Sequence, residues 1–394
     1  MNSAEFPSMG AWWDQVATGL ALWWQQHALG AAASVGILLA AMVILLVLLR
    51  HRARRRWPTG ARLVELLPPA DLDLAAALSG GRRFWRDLTG TAPPAWRRRL
   101  YDYPALALEY QLTAQRVTVR LWIPGPIPPG RVEAAVRAAW PGTLLIPATN
   151  TPIPPGHTVT GGTVRLERPE HFPLHVADAR EDADPVRALQ SLATSLQPGE
   201  QAVVQVLLRP GVGRRLQWYR RTVYRLHHGH PTTRSGVSAL PAELARELLD
   251  LITGSRTPAR SSHSPSTRTT DPQRAEELRE IRAKAVLPQW EVALRYATAT
   301  TSTGAAGRAR VRGLADGVFA MFAVLAGRNA LARHRLRHPV TALARRRLRR
   351  GALLSTTEVA ALAHLPVRNP ALAGGRARAV PAPPEVFDHP DTGP

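Results

Sequence analysis

The sequence contains no cysteine, which excludes disulfides, thiolate metal centres and cysteine nucleophiles. Lysine is nearly as scarce. Lys284 is the only one, set in Arg282-Ala283-Lys284-Ala285 with no glycine nearby, so these residues hold no G-x-x-x-x-G-K-[ST] phosphate loop and no nucleotide motor of their own. G-x-G-x-x-G, G-x-S-x-G and H-E-x-x-H are missing too. Acidic residues are few: 29 Asp plus Glu stand against 51 Lys plus Arg, a net charge of +22 over 394 residues. That balance suits nucleic acid, anionic lipid headgroups or an acidic protein partner. An Arg-, Ala- and Pro-rich chain is equally what a GC-rich coding sequence produces with no ligand involved, so the charge alone selects nothing.

Charge is wholly absent from one long run. Ala31 to Leu49 reads AAASVGILLAAMVILLVLL, has Ser34 as its only hydroxyl, and is followed at once by Arg50-His51-Arg52-Ala53-Arg54-Arg55-Arg56. At ~1.5 Å rise per residue a helix of this length matches the ~30 Å apolar core of a bilayer. Residues 1–30 carry Glu5 and Asp14 and no Lys or Arg, whereas the other flank has five arginines in seven residues. The positive flank stays cytoplasmic, which predicts an outer N-terminus and a cytoplasmic body on an uncleaved anchor of the inner membrane. Trp12, Trp13, Val16, Leu20, Trp23 and Trp24 fall on one helical face of the outer segment. Tryptophan favours the membrane interface, so an interfacial helix on the outer leaflet is expected, with Arg50, Arg52, Arg54, Arg55 and Arg56 completing the anchor against membrane lipid.

The remainder divides by composition. Residues 50–103 read as a basic juxtamembrane linker, with a helical patch at Leu72 to Leu78, an aromatic cluster at Phe84, Trp85 and Trp96, and a cation run Arg97-Arg98-Arg99. That run suits anionic lipid or simply a solvated linker. Residues 104–253 read as an α+β domain. Leu106, Leu108, Tyr110 and Leu112 alternate with smaller or polar residues, Val117, Val119, Leu121 and Ile123 alternate again, and together they predict a hairpin. Strand, helix, strand, strand, helix, strand follows from Val117 to Leu208, the split βαβ or ferredoxin-like order. A helix from Gly213 to His228 and another from Ala242 to Thr253 close this domain. Residues 254–270 are rich in Ser, Thr, Pro and Arg and read as a flexible linker. Residues 271–366 form a second, more helical α+β module: a helix to Val286, a strand from Gln289 to Thr301, a long helix from Ala306 to about Leu336, a cationic helical end at Ala344 to Arg350, and a capping box Ser355-Thr356-Thr357-Glu358. Residues 367–394 read as a proline-rich tail.

No residue set for catalysis, cofactor or metal emerges. His171 and His175 have helical spacing, but Pro173 lies between them; His227, His228 and His230 cluster with no carboxylate nearby in sequence; Asp178, Glu181, Asp182 and Asp184 lack the spacing of a calcium loop. The arginine-rich helix faces remain: Arg214, Arg221 and Arg225, and the run Arg345, Arg346, Arg347, Arg349 and Arg350. They are candidate contacts for nucleic acid or a partner, or plain solvated faces.

Four segments carry a family likeness. RLWIPGPIPPGRVEAAVRAAWPG (Arg120 to Gly142), PGEQAVVQVLLRP (Pro198 to Pro210), LPQWEVALRYATAT (Leu287 to Thr300) and STTEVAALAHLP (Ser355 to Pro366) resemble the membrane-anchored N-terminal region of bacterial ATPases related to type IV secretion and conjugative-transfer motors. The resemblance implies a non-catalytic assembly module that docks on a P-loop motor ATPase in trans, or on itself, in a DNA or protein transfer system. ATP binding and DNA translocation transfer to no residue of this sequence. The alternative expectation is a membrane-tethered nucleic-acid binder acting through its arginine faces.

Overall fold

In a computed structural model, residues 9–149, 153–176, 184–228, 272–372 and 375–377 are described. The chain opens with α1 (Met9–Arg56), β1 (Arg62–Leu67), α2 (Leu74–Asp87), α3 (Ala95–Tyr101), β2 (Leu106–Thr113), β3 (Arg116–Ile123) and α4 (Pro129–Ala139). It continues through β4 (Leu144–Pro147), β5 (Thr158–Leu166), α5 (Pro185–Ser195), β6 (Glu200–Pro210) and α6 (Arg214–His227). Last come α7 (Pro272–Val286), β7 (Gln289–Thr300), α8 (Gly304–Ala320), β8 (Leu331–Arg335), α9 (Pro339–Arg345), β9 (Ala352–Ser355) and α10 (Thr356–Leu362). Two compact units result, Met1–Trp57 with Pro93–Tyr103, and Pro58–Ala92 with Pro104–Pro394.

In the first unit the uncharged run forms helix, as expected of a segment whose backbone polar groups must satisfy one another. Within Ala33–Arg56 the most apolar 18 residues have a mean hydropathy of 2.6 and none of them is buried, so this helix is long and apolar enough to cross a membrane. The hydroxyl of Ser34 donates to the Gly30 carbonyl at 2.8 Å, leaving no unpaired donor in the apolar run. The separate interfacial helix expected for residues 1–30 is not what forms. From Met9 onward the N-terminal segment is continuous with the apolar run in one helix of 48 residues, because nothing between Trp24 and Ala31 breaks helical hydrogen bonding. Trp13 is exposed; the side chains of Trp12, Trp23 and Trp24 lie outside the described residues.

The second unit is α+β, built on a nine-stranded sheet in the order β4-β1-β3-β2-β6-β7-β5-β8, with β9 also pairing β7. Every strand pairing in it is antiparallel. The hairpin read from the two alternating runs is present, with Leu108 opposite Leu121 and Tyr110 opposite Val119. Leu106, Leu108, Tyr110 and Leu112 join Val204, Val206, Leu208, Trp290, Val292, Leu294 and Tyr296 in the principal core, which α2, α4, α5, α8 and α10 cover. The opposite face is lined by smaller side chains, Ala107, Ala293, Ala297 and Ala299, under Leu343 and Leu348. Residues of β6 and β7 are buried on both faces, which explains why those strands read as nearly unbroken apolar runs.

Four expectations are corrected by the structure. The split βαβ order does not form: β3 pairs with β1 and β2 and β5 with β7 and β8, so the two strands it would set side by side lie far apart in the sheet. Residues 104–253 and 271–366 are not separate sheets, because β7 pairs with β6 along its length, from Thr300 opposite Glu200 to Trp290 opposite Pro210. The stretch 58–92 is no linker: β1 enters the sheet between β3 and β4, and α2 buries Leu74, Leu78, Phe84 and Trp85. Gly80 and Gly81 give the reason α2 fits. A Cβ at Gly80 would overlap the indole of Trp140, and one at Gly81 would press on Ala360 at 3.3 Å. The ~1 kcal/mol cost of each glycine in a helix is offset by that close approach. The long helix expected from Ala306 to Leu336 ends at Ala320, and the chain then returns as β8. The helix Ala242–Thr253, the linker 254–270 and most of the tail fall outside the described residues.

Candidate functional site

Glu109, Glu291 and Glu358 are acidic residues inside apolar surroundings, and burial of an unpartnered carboxylate is costly enough that each must have found a cation or several donors. Glu358 closes the capping box. Its Oε2 accepts from the Ser355 N–H at 2.7 Å and the Ser355 hydroxyl at 3.0 Å, and its Oε1 accepts from the Leu174 N–H at 2.8 Å. Lys284, the chain's single lysine, lies 3.0 Å from the same Oε1 with both side chains buried. Glu291 receives Arg209 and Arg215, each at 2.7 Å, and Arg215 continues to Glu170 at 2.7 Å. Glu109 receives Arg346 at 2.7 Å and the Gln205 amide at 2.8 Å. These groups hold the fold together.

A second buried set pins the segment after α10. The Ala363 carbonyl accepts from Trp85 Nε1 at 2.7 Å, the His364 carbonyl from the Tyr110 hydroxyl at 2.7 Å, and the Val367 carbonyl from Gln190 Nε2 at 2.9 Å. His364 faces Asp184 at 3.1 Å through Nε2. Burial, reinforced by the Asp184 carboxylate, pushes the Tyr110 phenol well above its usual pKa, which keeps it a donor. An irregular stretch can therefore cross the core with its carbonyls satisfied. His171 is held neutral differently: burial, and then the Lys284 cation, lower it to about 4. It stacks on Phe172 at 4.4 Å and joins no metal-binding group with His175; among the described residues no group of three or more His, Cys, Asp or Glu could hold a metal ion.

The arginine faces fare unequally. On α6, Tyr219 is buried and Arg215 is engaged as above, while Arg214, Arg221 and Arg225 are exposed. Trp218, 55 % exposed, falls between them at helical spacing, giving the outer stripe Arg214, Trp218, Arg221, Arg225. The helix also borders a cleft of 410 Å³ shared with α7, lined by Arg220, Tyr224, His227, His228 and Arg282 over Val223, Leu278 and Ile281. Tyr224 and His228 stack there at 4.0 Å. Such a surface favours anions with an apolar or aromatic part. Aromatic Trp218 carries weight that sequence reasoning gave only to the arginines. Its signal is its position three and four residues from Arg221 and Arg214.

The second run corrects an expectation. Arg345 closes α9 and Arg346 turns left-handed at φ 45°, so Ala344 to Arg350 is no cationic helical end. Arg346 is consumed by Glu109 and lies over Trp122, the Arg347 carbonyl accepts from Arg295 at 2.6 Å, and Leu348 is buried. Of the five arginines in this run, Arg345, Arg349 and Arg350 are exposed. His230 and Asp178, Glu181 and Asp182 lie outside the described residues, and Asp184 serves as the N-cap of α5, accepting from the Val186 N–H at 2.8 Å.

No curated protein matches this chain. A family match does cover the sheet from β2 onward, together with α6 and the pinned segment after α10, and stops short of α1. Residues 104–371 match the family described as a domain of unknown function, DUF8128, and the chain belongs to that family.

Proposed function

We propose that this chain is a non-catalytic, single-span inner-membrane module that docks on a P-loop motor ATPase, or on a second copy of itself, in a DNA or protein transfer system. The observation that carries the reading is α1, an apolar helix with none of its span buried and a cluster of arginines at one end. The body attached to it supports the same reading, since Lys284, Glu109, Glu291 and Glu358 are committed to intramolecular pairs. The motor as partner rests on the sequence resemblance.

A second reading, a membrane-tethered nucleic-acid binder, is favoured by the exposed stripe Arg214, Trp218, Arg221, Arg225, because cations interleaved with an aromatic suit a phosphate backbone and a stacked base. One experiment separates the two. The full chain is purified from native membranes in detergent, alongside a variant carrying Arg214→Glu, Arg221→Glu and Arg225→Glu. The docking reading expects a P-loop ATPase to co-purify with both proteins and ATP turnover to require that partner. ATP hydrolysis by the chain alone contradicts it. Salt-sensitive DNA binding lost in the variant moves the assignment to the second reading.

A further inference from the structure

Resting on the reading of α1 as a membrane span, we propose that the arginine end of α1 and helix α3 form one built docking surface for the anionic phospholipid headgroups of the adjoining leaflet. The two helices are remote in sequence but fastened in space. Arg54 donates to Asp102 Oδ2 from both Nε at 3.2 Å and Nη2 at 2.8 Å, and Arg50 Nη2 donates to the Arg99 carbonyl at 2.7 Å. Arg50 and Arg54 are one helical turn apart, so a single face of α1 grips the C-terminal end of α3, where cations also meet the negative end of the helix dipole. Arg98 is turned inward to the Pro93 carbonyl at 2.5 Å.

What remains outward is cationic. Arg52, Arg55 and Arg56 of α1 and Arg97 and Arg99 of α3 are exposed. Residues 50–56 and 95–102 hold eight arginines and one carboxylate, and that carboxylate, Asp102, is spent in tying the helices together. Trp96 is 59 % exposed beside them. An exposed indole next to arginines at the end of an apolar span matches the chemistry of the headgroup layer, where the ring is half-solvated and guanidinium meets phosphate. Continuity with the span commits the occupant to the bilayer; a soluble phosphate would not need Trp96.

The test uses the full chain in detergent micelles, titrated with phosphatidylglycerol or phosphatidylcholine and read by native mass spectrometry of retained lipid. Phosphatidylglycerol should be retained in strong preference, and Arg97→Ala with Arg99→Ala should weaken it roughly 30-fold at about fivefold per arginine. Asp102→Asn separates a built surface from mere charge. It raises the net charge by one, so simple attraction predicts tighter binding, whereas release of α3 from Arg54 predicts several-fold weaker binding. Equal retention of the two lipids, or tighter binding in Asp102→Asn, overturns the proposal. Alkaline extraction of membranes runs in parallel: wild-type protein in the pellet keeps the span and leaves the lipid result to decide, while wild-type protein in the supernatant overturns span and surface together.

Discussion

Replacing Trp85 by alanine should destabilise the second unit by roughly 4–6 kcal/mol. A buried Trp→Ala change costs ~3–5 kcal/mol in lost burial and cavity, and here it also strips a hydrogen bond. Trp85 is fully buried, packs edge-on against Phe84 at 4.6 Å and Trp290 at 5.2 Å, and donates to the Ala363 carbonyl. Truncation opens the junction of α2, β7 and the segment after α10 and leaves that carbonyl buried without a donor. Trp85→Phe keeps most of the apolar volume and loses the N–H, so its cost should fall to about 1–3 kcal/mol. Thermal unfolding of the full chain in detergent, followed by near-ultraviolet circular dichroism, checks both. A Trp85→Ala midpoint within two degrees of wild type would show that α2 does not belong to the core.

Glu358→Gln should cost about 3–5 kcal/mol, the usual price of stranding one member of a buried ion pair. The two partners are not equivalent. Without Glu358, the Lys284 ammonium keeps the Phe172 carbonyl at 3.3 Å and little else among its described contacts. Without Lys284, the Glu358 carboxylate still accepts from Leu174 and twice from Ser355. Lys284→Met should therefore cost clearly less than Glu358→Gln, and Lys284→Met combined with Glu358→Gln should recover part of the loss, since the charge and its stranded partner leave together. Unfolding midpoints of the three variants measure this. At ~2–4 °C per kcal/mol the single Glu358→Gln shift is roughly 6–20 °C. Equal losses for both single variants would contradict the asymmetry.

Much of the local structure was legible because it rests on short-range chemistry. The alternation from Leu106 to Ile123 is a hairpin, Asp184-Pro185 caps α5, and Ser355 with Glu358 forms the reciprocal cap of α10. The α+β class follows from those elements. Strand neighbours were not legible, because periodicity says which face a residue occupies and not which distant strand it meets. β6 and β7 lie on either side of a polar, Ser- and Arg-rich stretch that composition marks as a boundary, yet they pair directly. Phe84 and Trp85 stood out as aromatics, but the helical patch was read only from Leu72 to Leu78, whereas α2 runs on through Gly80-Gly81, which serve as a packing notch. Charge misled in the same way. Arg346 looked like one of a run of surface cations, whereas a left-handed turn carries it inward to Glu109. Arg214, Arg221 and Arg225 kept the exposure their helical spacing implied, because among the described residues α6 packs through Tyr219 and lies against α7 through its Val223 side, away from these arginines.

Topology is the most direct test of the account, and the absence of cysteine makes it clean. Ser3→Cys, ahead of α1 in sequence, and Ser191→Cys on the exposed side of α5 each place the sole thiol of the protein at a chosen site. Intact cells stripped of any outer barrier are treated with a membrane-impermeant maleimide before and after permeabilisation. A tethered cytoplasmic body predicts that Ser3→Cys labels immediately and Ser191→Cys only once the membrane is opened. Immediate labelling of Ser191→Cys, or of both sites alike, would contradict it.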